Sequence, residues 1–592
     1  MRSRAALLVL ASGCLSVPSA QNPMCKVDSD CAPGEQCQES TCWGDPPAGP
    51  FVATLAPPAS RPDLAAREYQ TFDIPQDGNI SDSTTTMLQL ESAKSITGRV
   101  EAACPMGLAC DRSSLAATIT VTRAPKFVGG RGVNLTVNSM PGLAPDAGDS
   151  FTVNVPVSDP GDPPFVVTIL PSGRTESPPT DGTAAAQNVP PMRVDLTADQ
   201  IGGSQLFTLG GDTLPVISGS LLDTYGTALR DYRVVARGKF GTDSDTNEVS
   251  TIDYSTDGSF SITLAAGVVG PVEIVATPFA QGAVAPTLEL STPPVTSNQI
   301  LAQPTGLGNQ VTIKITVTGA ATDGSVGPIN GARVIVTGTS TTILAGSTNA
   351  VVTSDVTTGA DGVAMVSVLD GNAFATAYTL SIVPPTNSNL GIVYAQTFDA
   401  TKPTLVQQLS PRLVLTGHAV DSSNAPIANV AVTVTHAPRF TWNLPAGPQA
   451  FLSDIPTSTA VTDAGGGFSV YVDPIIADVW GVYDFAFDPP TGSAYPTWSL
   501  FDFEVDHVPL GMEPTMTVPP TAIPDAAHIH GLVTDSEGDP VPEADLHIYQ
   551  TRDQSLCTAA LYPPPGCSIP AQVLGSGTAD DMGEVRLVLP RP

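Results

Sequence analysis

The sequence is poor in charged residues, and bases are the scarcer kind. Only 14% of its 592 residues are charged, and 25 lysines and arginines stand against 57 aspartates and glutamates, for a net charge of −32 at pH 7. A chain this acidic repels a phosphate backbone, because it has few bases with which to displace counterions. The same electrostatics argue against binding to an anionic lipid surface. Nucleic acid is therefore excluded as a partner, and we ascribe the acidity to solubility.

Beyond its first residues, the sequence also lacks an apolar run long enough to cross a membrane. Long helices are not expected either, because 57 prolines and 53 glycines interrupt the chain. The mean hydropathy is slightly positive, at +0.11, so the chain has enough apolar side chains to build cores. Its length predicts roughly four to six domains. Many short strands joined by turns are the expected structure.

The signatures of common enzyme classes are missing. None of the six histidines begins a His-x-x-Glu or His-Glu-x-x-His zinc motif. The Gly-x-Ser-x-Gly elbow of hydrolases is absent, as are the Rossmann and P-loop fingerprints. We therefore predict a protein that is not an enzyme, with no catalytic residues and no cofactor.

The N-terminus has the layout of an export signal. A short basic segment and a short apolar segment precede Ala11-Ser12-Gly13-Cys14, and the apolar part is too brief to span a membrane permanently. This tetrapeptide resembles the bacterial lipobox, whose cysteine takes a diacylglyceryl group. The resemblance implies a signal peptide over residues 1–13 and a lipid on Cys14, hence an outer-membrane or cell-surface lipoprotein that touches the membrane through this lipid only. The alternative is ordinary cleavage near residues 17–20, which would leave the protein periplasmic or secreted.

The cysteines form local groups, with one left over. Four of them recur at nearly even spacing in residues 14–43, which predicts a disulfide knot in an oxidising compartment; zinc, the alternative, prefers cysteines in closer pairs. The cluster looks like the short cysteine-rich repeats of the Dickkopf N-terminal type found in secreted proteins. The disulfide candidates are Cys25, Cys31, Cys37 and Cys42 in the cluster, and the loop pairs Cys104/Cys110 and Cys557/Cys567. Cys14 has no local partner, which favours its lipidation.

Residues 44–92 are rich in proline, alanine, aspartate and threonine. The pairs Pro46-Pro47 and Pro57-Pro58 favour an extended, semi-rigid chain. We expect a stalk that lifts the following domains off the surface.

A unit of about a hundred residues then recurs. A glycine, an aspartate, a proline and a small apolar residue follow one another in one fixed register. These are Gly219, Asp223 and Ala228 in unit two, where alanine replaces the proline, Gly319, Asp323, Pro328 and Ala332 in unit three, Gly417, Asp421, Pro426 and Val430 in unit four, and Gly531, Asp535, Pro540 and Ala544 in unit five. Unit one, from Gly98, is the most divergent. We expect the glycine to face inward where another backbone comes close, and the aspartate to begin a turn in which Gly or Asn has positive φ.

The repeated residues resemble the carboxypeptidase regulatory-like module, a transthyretin-like seven-stranded sandwich. Its signature Gly-x-Val-x-Asp-x-x-Gly-x-Pro-Val-x-x-Ala is nearly complete from Gly531 to Ala544. The resemblance implies an all-β fold, a tandem array of about five small Ig-like or transthyretin-like sandwiches behind the disulfide-rich segment. Their expected bounds are 93–172, 205–284, 309–386, 410–507 and 525–592. Unit five departs from the pattern, because it stops after the strand at residues 585–589 without the usual last strand.

Proline-rich joints separate the units. They lie near residues 171–191, 286–304, 384–403 and 509–524. Relative motion of neighbouring domains is the default expectation for joints of this composition.

Two groups of residues are candidates for binding. His528 and His530 share one face of a strand, and if His547 lies on the next strand, three imidazoles could bind zinc or copper; scattered exposed histidines are the alternative. Trp442 lies in a long insert of unit four, residues 440–451, where an aromatic ring on a loop could stack on a sugar or anchor a protein. The alternative for Trp442 is packing against its own unit.

These observations predict a non-enzymatic cell-envelope or surface lipoprotein. Its repeated sandwiches would act as a spacer and as a binding surface for a protein or glycan. The alternative is an accessory protein that positions or stabilises a hydrolase of the envelope.

Overall fold

The structure, a computed structural model, describes most of residues 51–590 and two short strands before them. The described residues are 36–38, 41–43, 51–72, 88–103, 115–125, 132–140, 149–158, 162–179, 184–211, 213–222, 227–241, 246–279, 285–301, 309–320, 325–340, 350–370, 378–385, 388–444, 451–452, 455, 457–490, 492–505, 515–518, 521–524, 526–550, 557, 569 and 571–590.

Strands make up nearly all of the regular structure, which confirms the predicted all-β array. Along Lys94–Ala103 every second residue from Ile96 is buried, because successive side chains of a strand point to opposite faces. The short helices span Ala184–Gln187 and Pro438–Thr441, with a 3-10 turn at Ala198–Gln200. The chain is therefore a series of sandwiches, which we call modules 1 to 5.

Modules 1 to 4 share one arrangement of two sheets. In one sheet, the first strand of the module pairs antiparallel with a later strand and parallel with the last strand. The second sheet packs against the first, and the apolar faces of the two sheets meet in the core. Because the last strand lies beside the first, a module is complete only when its last strand is present.

Module 1 (residues 94–210) extends further than the first sandwich expected over residues 93–172. One sheet contains Asp149–Val155, Lys94–Ala103 and Ser204–Gly210, and the other contains Met192–Leu196, Phe165–Pro171, Ala117–Arg123 and Val133–Asn138. Phe207 and Leu209 are buried in this core. The strand Ser204–Gly210 is thus the last strand of module 1.

Modules 2 (residues 216–300) and 3 (residues 310–409) share a continuous sheet. Thr287–Pro294, at the end of module 2, pairs antiparallel with Ala350–Thr357 of module 3. This sheet also holds Asn247–Glu248, Tyr232–Phe240, Asp253–Ser255 and Val268–Pro278 of module 2, and Arg333–Ser340, Tyr378–Val383 and Val393–Thr397 of module 3. The buried apolar residues of both modules form one cluster. The joint expected over residues 286–304 thus contains the strands Thr287–Pro294 and Gln299–Ile300. Leu288 and Leu290 of the first strand are buried in the cluster that both modules share.

The second sheets of modules 2 and 3 are separate. Module 2 has Ser259–Thr263, Val216–Ser220 and Gln299–Ile300, and module 3 has Val326–Pro328, Gln310–Ala320, Val363–Leu369 and Thr404–Leu409.

Module 4 (residues 413–523) is built in the same way. Its first sheet contains Gly467–Val472, Leu413–Val420, Thr515–Thr517 and Thr521–Ala522, and its second contains Ser458–Val461, Ala431–His436, Val482–Asp488 and Trp498–Glu504. A small hairpin pairs Ile475–Ile476 with Val479–Trp480.

Module 5 (residues 526–590) is completed from the other end of the chain. Its own strands are Ala526–Leu532 paired with Glu584–Pro590, and Asp545–Gln550 paired with Gln572–Thr578. Phe51–Ala56 pairs with the free edge of Asp545–Gln550, and Arg67–Phe72 pairs with Phe51–Ala56. Leu64–Ala65 pairs with Glu91–Ser92, and Gln36–Gln38 with Thr41–Trp43. The stalk expected over residues 44–92 is thus wrong for residues 51–72 and 88–92, because their apolar side chains, such as Leu55 and Leu90, are buried in module 5.

The repeated glycine faces a phenylalanine ring in three modules. The cross-strand pairs are Gly98 with Phe151, Gly219 with Phe260 and Gly417 with Phe468. A Cβ on Gly417 would lie 2.5 Å from Phe468 Cζ. The glycine therefore faces inward as expected, but it makes room for a ring rather than for a backbone.

The repeated aspartate begins a turn, as predicted. Asp421 Oδ1 accepts hydrogen bonds from the backbone N–H groups of Ser423 and Ala425. The expected positive φ is confirmed at Asn424 (63°) and at Gly538 (90°).

Candidate functional site

Residues 51–72 and 88–92, which we call the completing segment, supply strands to module 5. In module 4, Ala431 pairs with Asp488, and Val420 pairs with Ala522. The residues of module 5 in the same repeat register are Asp545 and Thr534, and they pair with Ala56 and Gln89. The completing segment therefore occupies the places that module 4 fills with its own last strands.

The shared core of module 5 depends on both parts of the chain. The completing segment contributes Ala53, Leu55, Leu64, Leu88 and Leu90, and module 5 contributes Ile529, Val533, Val541, Ala544, Leu546, Ile548, Leu574, Ala579, Val585, Leu587 and Leu589. Leu55 and Leu90 are fully buried. Without the completing segment, this apolar face and the edge of Asp545–Gln550 would be exposed to water.

Polar contacts hold the completing segment in register. Thr534 donates its N–H to Leu88 O at 3.0 Å, and Leu90 donates its N–H to Thr534 O at 2.8 Å. Arg61 Nη2 donates to Asp535 Oδ2 at 3.2 Å, so the aspartate that begins the repeat turn also binds the completing segment. Strand addition of this kind derives affinity from backbone hydrogen bonds and specificity from alternate side chains.

A second candidate site is a polar cavity of about 320 Å3 in module 4, lined in part by Arg412, His436, Asp473 and Tyr483. Arg412 Nη2 lies 2.9 Å from Asp473 Oδ2, and both side chains are buried. The Tyr483 hydroxyl donates to Asp473 O at 2.5 Å. Asp473 Oδ1 accepts the N–H of Ile392 of module 3 at 2.9 Å, so this cluster ties modules 3 and 4 together.

Burial governs the protonation of this cluster. It lowers the pKa of His436 to about 4, with a further contribution from the positive charge of Arg412, so the imidazole is neutral at pH 7. Burial also raises the pKa of the Tyr483 hydroxyl well above its ordinary value. His436 Nε2 is buried without a hydrogen-bond partner among the described residues. The cluster thus holds a neutral imidazole beside a compensated ion pair, which suits a structural junction more than proton transfer.

The insert that carries Trp442 packs at the same junction. Phe440 and Phe451 belong to an apolar cluster that includes Val383 of module 3, and the rings of Phe451 and Tyr394 lie 5.0 Å apart. Trp442 is only 9% exposed. Of the two alternatives for Trp442, the burial agrees with packing, because the insert buries its aromatic side chains instead of presenting them on a loop.

The three candidate metal-binding histidines lie on two different sheets. His528 and His530 are exposed on Ala526–Leu532, which pairs with Glu584–Pro590. His547 lies on Asp545–Gln550, which pairs with Phe51–Ala56 and Gln572–Thr578 and belongs to the opposite sheet. The prediction that these strands are neighbours is therefore wrong. Within the described ranges no group of three or more His, Cys, Asp or Glu side chains is placed to hold a metal ion.

The cysteine predictions fall mostly outside the described residues. Cys37 and Cys42 are backbone partners across a two-stranded hairpin. Cys557 is disulfide-bonded, and its pairing with Cys567 stays a prediction. The other candidates, Cys14, Cys25, Cys31, Cys104, Cys110 and Cys567, lie outside the described residues.

In the part of the chain that the structure describes, no helix is long and apolar enough to cross a membrane.

Sequence reasoning missed both the completing segment and the junction cluster. Phe51-Val52-Ala53-Thr54-Leu55 has strand-forming composition, which could have suggested a strand in place of a stalk. The cluster left no such signal, because its four side chains, on or beside four different strands, are far apart in the sequence.

No protein-family model matches the chain, and no curated protein matches its sequence. Among solved structures, similarity is found to the Bacillus anthracis TIE protein, with 11% identity over 72% of this chain and 74% of that one, and a TM-score of 0.14. The shaft pilin spaA from Lactobacillus rhamnosus GG shows 13% identity over 36% of this chain and all of its own, with a TM-score of 0.17. The full-length major pilin RrgB from Streptococcus pneumoniae shows 9% identity over 71% of this chain and 98% of its own, with a TM-score of 0.12. Scores this low carry no argument about function, and the assignment to tandem all-β, Ig-like sandwiches rests on the strand pairing described above.

Proposed function

We propose that the chain is an exported, non-enzymatic protein of the cell envelope or surface. Its tandem sandwiches act as a spacer and offer a binding surface to a protein or glycan. The observation that carries the proposal is the joining of modules 2, 3 and 4 through a continuous sheet and a buried junction. Joints of this kind transmit the orientation of one module to the next, as a spacer requires, whereas simple linkers permit free motion.

We also propose that the modules are of the carboxypeptidase regulatory-like type, which the register from Gly531 to Ala544 supports. A lipid on Cys14 would anchor the chain to the membrane. Mass spectrometry of the mature N-terminus tests the anchor. We expect a lipidated peptide beginning at Cys14, and an unmodified peptide beginning at Gln21 would make the protein a secreted one.

A pull-down tests the binding role. The full exported chain is immobilised and exposed to cell-envelope extract and to purified polysaccharides, with an unrelated protein of similar negative charge as control. Retention of a glycan or a non-catalytic surface protein over the control supports the proposal. Retention of a hydrolase supports the accessory role instead, and equal retention on both proteins leaves a spacer without a binding role.

A further inference from the structure

The completing segment is joined directly to module 1, which stands first in the order of modules along the chain, whereas module 5 stands last. A single residue, Ala93, separates its last strand from the first strand of module 1. Asn154 Nδ2 of module 1 donates to Pro62 O at 2.6 Å, and Gly132 donates its N–H to Glu68 Oε1 at 3.0 Å. Module 1 therefore contacts the completing segment, whose strands Phe51–Ala56 and Arg67–Phe72 form a hairpin.

Module 5 needs this hairpin, but its contacts do not specify from which copy the hairpin comes. The strand pairs, the shared core and the ion pair of Arg61 with Asp535 join two stretches that are separated by more than four hundred residues. The same contacts form whether the two stretches belong to one chain or to two, as in domain swapping.

The connection between modules 4 and 5 permits such an exchange. Gln572 of module 5 donates a hydrogen bond to Ser499 of module 4. No strand of module 5 pairs with a strand of module 4 in the described part of the chain. This differs from modules 2 and 3, which share a sheet. Within one copy, the completing segment can pair with module 5 only if the joined modules 2, 3 and 4 bring the two together. Pairing between copies does not have this constraint.

We propose that the completing segment of one copy also completes module 5 of a second copy, which links copies head to tail. A linked pair of copies still has one free hairpin, on the acceptor, and one open module 5, on the donor. The contact is therefore heterologous and extends to chains of copies unless it closes on itself. Linkage between copies increases with concentration, once this exceeds the effective concentration set by closure within one copy. The inference concerns self-assembly and does not depend on the proposed binding role.

The test introduces one cysteine into each of two copies. Thr54 and His547 are directly paired across the two strands, and both are partly exposed on the outer face. Full-length copies carrying Thr54→Cys and copies carrying His547→Cys, with different tags, are co-expressed for export into an oxidising compartment. A disulfide between these positions can form only between copies. We expect a species of twice the mass on a non-reducing gel, with the 54–547 peptide linkage identified by mass spectrometry.

The matched control replaces His547→Cys with Ser576→Cys. Ser576 pairs with His547 on the side away from Thr54, so it lies one strand further and beyond disulfide reach. The Ser576→Cys mixture should give no linkage to position 54. A double variant with both Thr54→Cys and His547→Cys in one copy checks the pairing itself. Internal linkage in the double variant without any linkage in the mixture would overturn the proposal, and so would the absence of linkage in both.

Discussion

Replacing Leu55 with alanine should destabilise a module that lies almost five hundred residues further along the chain. Leu55 is fully buried in the core that the completing segment shares with module 5. Truncating a fully buried leucine to alanine costs about 2–5 kcal/mol, from lost apolar burial and from the cavity that is left. A value of about 3 kcal/mol corresponds to a rise of roughly a hundredfold in the population of locally opened module 5.

Hydrogen exchange measured by mass spectrometry locates this effect. Backbone amides of Asp545–Gln550 and Glu584–Pro590 should exchange roughly a hundredfold faster in Leu55→Ala, whereas amides of module 3 should be unchanged. Leu206→Ala is the matched control, because Leu206 is 59% exposed and its truncation should change stability by no more than about 0.5 kcal/mol. Unchanged protection of Asp545–Gln550 in Leu55→Ala would refute the pairing of the completing segment with module 5.

Three further predictions concern module 4. Gly417→Ala should lower the unfolding free energy of module 4 by about 1–3 kcal/mol, because its methyl group would overlap the ring of Phe468, while Gly327→Ala, which has open space around it, should cost far less in thermal unfolding. Since the pKa of His436 is about 4 in the folded chain and 6.5 otherwise, the unfolded state takes up the proton first, and stability is lost as pH falls from 6.5 towards 4. Thermal unfolding should show that His436→Phe removes about 2 kcal/mol of the loss between pH 7 and pH 5; an equal loss in both proteins would contradict the burial of a neutral imidazole. Asp473→Asn should cost about 3–5 kcal/mol in denaturant unfolding, because it leaves a buried arginine unpaired, and a change below about 1 kcal/mol would show that the ion pair does not hold the junction.

The repeat register was readable from the sequence because each position has a local physical reason. Asp421 caps its turn through its own backbone neighbours, and Asn424 supplies the positive φ that the turn requires. Gly417 was identified as an inward position by its place in the repeat. Only its neighbour, the ring of Phe468, was missed, since that depends on which strand lies alongside.

The metal site expected of the three histidines and the exposed position expected of Trp442 both depended on long-range contacts, which the sequence does not show. Period two correctly placed His528 and His530 on an exposed face, but it could not say that His547 lies in the opposite sheet. Trp442 was assigned to a loop because the insert is long. Trp442 is buried instead, and Phe440 and Phe451 of the same insert pack in a cluster with Val383 of module 3, which is far away in the sequence.

Short-range physics thus sufficed for the all-β architecture, the turns and the inward faces, because strand periodicity and turn chemistry are properties of neighbouring residues. Tertiary structure decided the pairing of the completing segment with module 5, the continuous sheet of modules 2 and 3, and the cluster at the junction with module 4. Strand edges and apolar faces must all be covered, and many strands of similar composition could cover them. Only the assembled fold selects which strand lies beside which, and at the two ends of this chain that selection makes one module out of two distant segments.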